Sequence, residues 1–323
     1  MRGLAAAVVA VVGLAVAAPA ARADDAYPSK TIHIVVPYPA GGGTDAIARL
    51  FAQKLGPQLG QTIVIDNRPG AGTLLAADIV AKAPPDGYTL LWVTVATLGI
   101  SPAIYKAPAI DPIKDFAPIA QVARATFVLV TAKSLPVKTV ADVIAYAKAR
   151  PGKLNYGSAG SGTPHHLYME MFKRRAGIDV VHVPYKGSGP ATLDLLSGQL
   201  SMMIDDVTPV AGHLDNGDVR LIAVAGDKRS ALFPNVPAIG ETLPGFDLPV
   251  YQGIVAPART PPAVTARLGA LIAKIVQAPD YPKSLVPFGM EPLFRSPDAF
   301  RTFLASDVPR WAQLAKDAGV HAE

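Results

Sequence analysis

A two-lobed α/β fold follows from three features of this 323-residue chain. Short apolar, β-branched runs alternate with stretches whose apolar residues recur at helical spacing. Two of those runs end in glycine-rich loops that open a helix. The composition, 50% hydrophobic and 17% charged, suffices to bury the cores of two domains and excludes a disordered chain.

Residues 31–36 read as a buried strand. Two prolines and three glycines follow, which neither a strand nor a helix tolerates in its interior. Ile47, Leu50, Phe51 and Leu55 then mark one face of a helix. Strand, glycine loop and helix in that order aim free backbone N–H groups at an anion, and glycine lets the ligand come close to the backbone. The loop running through Tyr38, Ala40, Gly41, Gly42, Gly43, Thr44 and Asp45 is therefore expected to hold a carboxylate. Residues 62–65 predict a second strand, and Leu74, Leu75, Ile79 and Val80 the helix after it. A turn at 84–87 leads into an apolar strand at 88–95. Such runs, spaced by helices, predict a parallel sheet covered on both faces.

Residues 102–118 are proline-rich and irregular, and 116–122 and 126–130 read as extended. The passage into a second lobe is placed near Arg124. A helix over 136–149 and a strand over 153–156 precede a second glycine loop, which contains Ser158, Ala159, Gly160 and Gly162. Thr163 suits a helix N-cap, Pro164 the first helical position, and Gly177 the stop. Further strands are expected at 180–183, 200–204 and 220–224, with the return to the first lobe there. The last strand is expected at 253–255, and the chain from 261 is read as mostly helical. The lobes are thus 24–124 with 225–323, and 125–224 inserted between them. Ligands of open parallel sheets bind beyond the carboxyl ends of the strands, so the expected site is a cleft between the lobes.

The first 23 residues read as a cleavable signal peptide. Arg2 precedes an apolar core at 4–18, and Ala21-Arg22-Ala23 is a small-x-small cleavage site. That core is shorter than the ~20 residues a membrane span needs. Its removal leaves 28 Lys and Arg against 25 acidic residues, close to neutral. No run of five like charges occurs, so nucleic acid is not an expected partner. The chain has no cysteine, hence no disulfide and no lipid-modified cysteine. These features predict a freely diffusing, monomeric protein of a bacterial periplasm.

Several residues carry two readings. Asp45 is either a partner of the helix dipole or a group that accepts a ligand hydroxyl or ammonium. His165 and His166 are adjacent and point in different directions, and no HExxH or cysteine accompanies them, so no metal is expected. His166 in the first turn is a candidate anion donor, and His33 and His182 are expected to be packed within strands. Lys186 is an exposed charge or a ligand contact. Gly41-x-Gly43-x-x-Ala46 formally matches a dinucleotide fingerprint, making a nicotinamide oxidoreductase the enzyme alternative. Against it, Pro37-Tyr38-Pro39-Ala40 separates the strand from the glycines, where that fingerprint needs a tight turn. No cofactor is expected, and no serine outside the signal segment sits in a G-x-S-x-G elbow.

The motifs Pro37-Tyr38-Pro39-Ala40-Gly41-Gly42-Gly43-Thr44-Asp45, Asp66-Asn67-Arg68-Pro69-Gly70-Ala71-Gly72, Gly157-Ser158-Ala159-Gly160-Ser161-Gly162-Thr163-Pro164-His165-His166 and Val183-Pro184-Tyr185-Lys186-Gly187 occur in this order. Together they resemble the substrate-binding receptors of tripartite tricarboxylate transporters, the Bug or TctC-like family. The resemblance spans nearly all of the chain beyond the signal segment. It implies a type II periplasmic-binding-protein fold, two α/β lobes around a ligand cleft, and membrane permease subunits as partners. It also implies a small organic acid held by the loop from Tyr38 to Asp45 and the loop from Ser158 to His166. An amino acid, amide or aromatic acid is the alternative ligand. Three residues depart from the family pattern: Thr73 where a further glycine is usual, Asp206 where Asn is frequent, and Tyr251 where Trp is common. Asp206 is expected near the cleft, where its charge disfavours a second ligand carboxylate unless it is paired.

Overall fold

A computed structural model describes residues 27–41, 43–106 and 110–321. The expected signal segment and Gly42 lie outside these residues. In chain order the first elements are β1 (Ile32–Val36), α1 (Gly43–Leu59), β2 (Ile63–Asn67), α2 (Leu74–Ala81), β3 (Thr89–Thr94), α3 (Ser101–Ile104) and β4 (Phe116–Ala125). Next come β5 (Phe127–Ala132), α4 (Val140–Lys148), β6 (Asn155–Ser158), α5 (Pro164–Ala176), β7 (Val181–Pro184), α6 (Ser188–Ser197), β8 (Met202–Asp206), α7 (Val207–Asp215) and β9 (Val219–Val224). The chain ends through β10 (Val250–Pro257), α8 (Pro262–Val276), α9 (Tyr281–Leu285), β11 (Met290–Arg295) and α10 (Pro297–Asp317).

The strands form two sheets, ordered β11-β4-β10-β3-β1-β2 and β7-β6-β8-β5-β9. Neither is wholly parallel, contrary to expectation. β1 pairs in parallel with β2 and β3, but β10 runs antiparallel to β3 and β4, and β11 to β4. In the second sheet β6 is parallel to β7 and β8, and β5 is antiparallel to β8 and β9. The strands running against the rest of their sheets are β10 and β11 in the first and β5 in the second. Between β4 and β5 the chain changes lobe directly, across Thr126.

β11 was not expected. Its Met-Glu-Pro-Leu-Phe-Arg sequence carries an internal proline, which argues against a strand except at a sheet edge, and the edge is where β11 lies. α2 also differs from its expected face. Leu74, Ala76, Ala77 and Val80 are buried, whereas Leu75 and Ile79 face outward. The small alanines let the helix lie close to the sheet.

One core, containing Phe51, Trp92 and Tyr281, belongs to the first sheet; the rings meet edge to face with centroids 5.7 Å apart. Another, with Val128, Leu195 and Met203, belongs to the second. A third joins the lobes, running from Val93 and Leu98 through Trp311 of α10 to Phe127 and Leu167. α10 thus acts as a strut beyond the two chain crossings. Its Trp311 stands perpendicular to Tyr168 of α5, and Arg174 of α5 pairs with Asp317 at its end.

Candidate ligand-binding cleft

Both glycine loops open on a cavity of about 1270 Å³ between the lobes. This exceeds the ~300–1,000 Å³ of a typical small-molecule pocket. From the first lobe Tyr38, Gly43 and Thr44 line it; from the second, Gly160, Gly162, Thr163, His166 and Asp206 do. Ala40, Gly41, Asp45, Ser158 and Ala159 lie outside its lining.

Asp45 and Ser158 instead brace the loops. Asp45 is 2% exposed and accepts hydrogen bonds from the Gly41 N–H (2.9 Å), Arg49 Nε (2.9 Å) and Asn67 Nδ2 (2.9 Å). Burial works against its charge, but these donors outweigh it and hold the carboxyl below the usual carboxylate range. Asn67 also donates to the Tyr38 carbonyl, tying the start of the loop to the end of β2. Tyr38 is anchored at its other end, its hydroxyl 2.9 Å from Thr94 Oγ1.

Ser158 is fully buried beneath the second loop. Its hydroxyl lies 2.7 Å from His182 Nε2 and accepts the Gly160 N–H at 3.2 Å. His182 stacks on His166 at 4.0 Å between ring centroids, with Tyr156 4.8 Å away on the same ladder. Burial, and then the neighbouring His166, push the His182 pKa down to about 4. His166 differs from the anion donor expected of it: its Nδ1 accepts the Gly162 N–H at 3.1 Å, and burial lowers its pKa. His33, expected to be packed, is exposed on β1.

Thr163 occupies the N-cap position of α5, but its hydroxyl donates back to the Gly160 carbonyl (2.7 Å). No side chain caps the helix, so the backbone N–H groups of its first turn are not covered by a residue of the loop. Gly160 and Gly162 have φ of 131° and 76°, which favour glycine. A Cβ on Gly162 would also meet Val320 at 3.0 Å and Ile104 at 3.1 Å, where the end of the chain and α3 close over the loop.

Other lining residues were not expected as ligand contacts: Gly72, Thr73, Ser101 and Tyr105 of the first lobe, and the segment 318–321 after α10. Thr73 did carry a hint. It takes φ 84°, a left-handed conformation that a β-branched residue avoids, at the position where the family pattern has glycine. Its hydroxyl is buried without a partner. Lys186 is exposed on the rim of the same cavity. Tyr251 is buried away from the cavity lining, edge-on to Phe300 and Phe303.

Two mixed α/β lobes facing across a cleft, each presenting a glycine loop at the carboxyl end of a strand, define a solute receptor of the periplasmic-binding-protein type. The chain belongs to the tripartite tricarboxylate transporter family receptor family, TctC, whose model matches residues 47–320. It is 34% identical over 315 residues to BugT of Bordetella pertussis, covering 96% of this chain and 97% of that protein. Among solved structures it resembles Rpa4515 of R. palustris, determined with adipate (36% identity, TM-score 0.78, 91% of this chain and 99% of that one). It also resembles MatC from Rhodopseudomonas palustris with bound malate (32% identity, TM-score 0.72, 90% and 100%). The family is one of receptors rather than enzymes, so the oxidoreductase alternative falls.

Proposed function

We propose that this protein captures a small organic acid in the interlobe cleft and delivers it to the membrane subunits of a tripartite tricarboxylate transporter. The observation that carries this reading is the pair of helix starts, Thr44 of α1 and Thr163 of α5, on the wall of one cavity. Backbone N–H groups and two positive helix ends favour an anion there. The relatives determined with adipate and malate support a carboxylate ligand. Residues 1–23 act as an export signal, and the mature protein works as a monomer in the periplasm. Among the described residues no helix is long and apolar enough to cross a membrane.

A thermal-shift screen of mono-, di- and tricarboxylates against their amides tests the ligand class. Binding to the folded state at a hundredfold excess over Kd adds about 2.7 kcal/mol. That corresponds to a midpoint shift of about 5–10 °C for a chain near this size. At least one carboxylate is expected to give such a shift and its amide little. Neutral amides shifting the midpoint while every carboxylate leaves it unmoved would overturn the reading. Gly43→Leu is expected to abolish the shift without unfolding the protein, because a Cβ there meets no atom within 4 Å and Gly43 lines the cavity.

A further inference from the structure

The wall of the second lobe carries a cluster that a plain dicarboxylate does not explain. Asp206 caps α7, its Oδ1 accepting the Thr208 N–H at 3.2 Å, and its side chain is 32% exposed on the cavity wall. Asp205 behind it is fully buried. Asp205 Oδ1 accepts Ser188 Oγ at 2.8 Å and the Asp206 N–H at 2.9 Å, and lies 2.9 Å from His165 Nε2. That imidazole nitrogen carries one hydrogen. It lies 3.1 Å from Ser188 Oγ and 3.4 Å from Asp206 Oδ2, so Asp205 is its nearest acceptor. Asp206 Oδ2 is left with only that nitrogen, at 3.4 Å and already shared with Asp205, as a donor. His165 lines the same cavity, is 9% exposed, and its Nδ1 is buried without a partner.

The charges point the same way. Burial works against a proton on His165, but the hydrogen bonds to Asp205 and Asp206 outweigh it and push the pKa up to about 9. One imidazolium between two carboxylates leaves a negative surplus on the wall. The three groups also place ligand atoms within 4.8 Å of one another, the spacing of a metal site, so a metal ion and a ligand donor compete for the same oxygens.

We propose that the ligand carries a hydrogen-bond donor, an ammonium or hydroxyl, which binds Asp206 Oδ2. The receptor then prefers amino- or hydroxy-substituted acids to plain dicarboxylates of the same length. This rests on the proposed function, in which the glycine loops hold the carboxylate, and adds a second recognised group.

Calorimetric titration of the whole protein in metal-free buffer at pH 7 tests it. The probes are succinate, 2-hydroxysuccinate and 2-aminosuccinate, with the matching five- and six-carbon acids. At one chain length or more, a substituted acid is expected to bind at least tenfold tighter than the plain acid. Asp206→Asn keeps a capping oxygen, which a melting curve checks, and is expected to remove that preference. A larger loss for the amino acid marks an ammonium; equal losses mark a hydroxyl. Plain acids binding as tightly at every length, or a preference that survives Asp206→Asn, would overturn this inference and leave the carboxylate reading standing. Binding of neutral amides with no binding of any acid would overturn both. Tight binding of Mg²⁺ or Mn²⁺ alone, lost in Asp206→Asn, would assign the cluster to a metal instead.

Discussion

Single residues decide the shape of the two loops. Asp45 gathers three donors onto one buried carboxylate, so Asp45→Ala leaves the Gly41 N–H and one of the two Asn67 amide hydrogens unpaired. A loss of about 1–3 kcal/mol is expected in urea unfolding. Thr73→Gly should raise stability by about 1 kcal/mol by relieving its left-handed strain, readable as a higher urea midpoint. His182 sets a pH dependence with a definite sign. Its folded pKa lies near 4, below the ~6.5 of a free imidazole. The neutral-ring contribution is therefore intact above about 6.5 and is lost as pH falls towards 4. The urea midpoint is expected to fall across that window, and His182→Gln to flatten the profile. His165 has the opposite sign: its folded pKa is raised, so its contribution is intact below about 6.5 and lost as pH rises through about 9. A urea midpoint that falls between pH 7 and 10 in the wild type, and stays level in His165→Gln, is the expected signature.

At the scale of elements, much of the arrangement was legible in the sequence, for reasons visible in the residues. The alternation of apolar runs with the Ile47, Phe51 and Leu55 stripe located β1 and α1, since burial imposes that period. Gly177 stops α5 in a left-handed conformation, as a glycine after a helix should. Sequence spacing does not carry strand direction, so the antiparallel β10 and β11 were not legible. Nor did it show that Thr163 would turn its hydroxyl into its own loop, or that His166 would accept a hydrogen bond. Those choices depend on the turn that Gly160 and Gly162 make at positive φ, and on His182 and Val320, which are distant in the chain. The closure of Val320 and Ile104 over the second loop gives a test at this scale. Gly162→Ala adds a Cβ at positive φ against both side chains, and is expected to cost about 1–2 kcal/mol and to weaken ligand binding together. Unchanged affinity with lowered stability would separate the loop from the site.

For the whole molecule, the question is how two lobes move when a core runs between them. Glu291 of β11 is 6% exposed and joins both crossings, accepting from Arg124 Nε (2.9 Å), Ser230 Oγ (3.0 Å) and the Ala231 N–H (2.6 Å). Hinge closure should therefore rotate the second lobe about residues near Thr126 and Ala225, with α10 sliding against α5. Small-angle scattering is expected to show a smaller radius of gyration in saturating ligand; an unchanged radius would rule closure out. The central claim is that both glycine loops hold a carboxylate at their helix starts. The most direct measurement is a crystal structure of the protein with its tightest-binding acid from the thermal-shift screen. The expected result is carboxylate oxygens within about 3 Å of backbone N–H groups near Thr44 and Thr163. A ligand seated outside the cleft, or held there by an arginine fork with both loops empty, would contradict it.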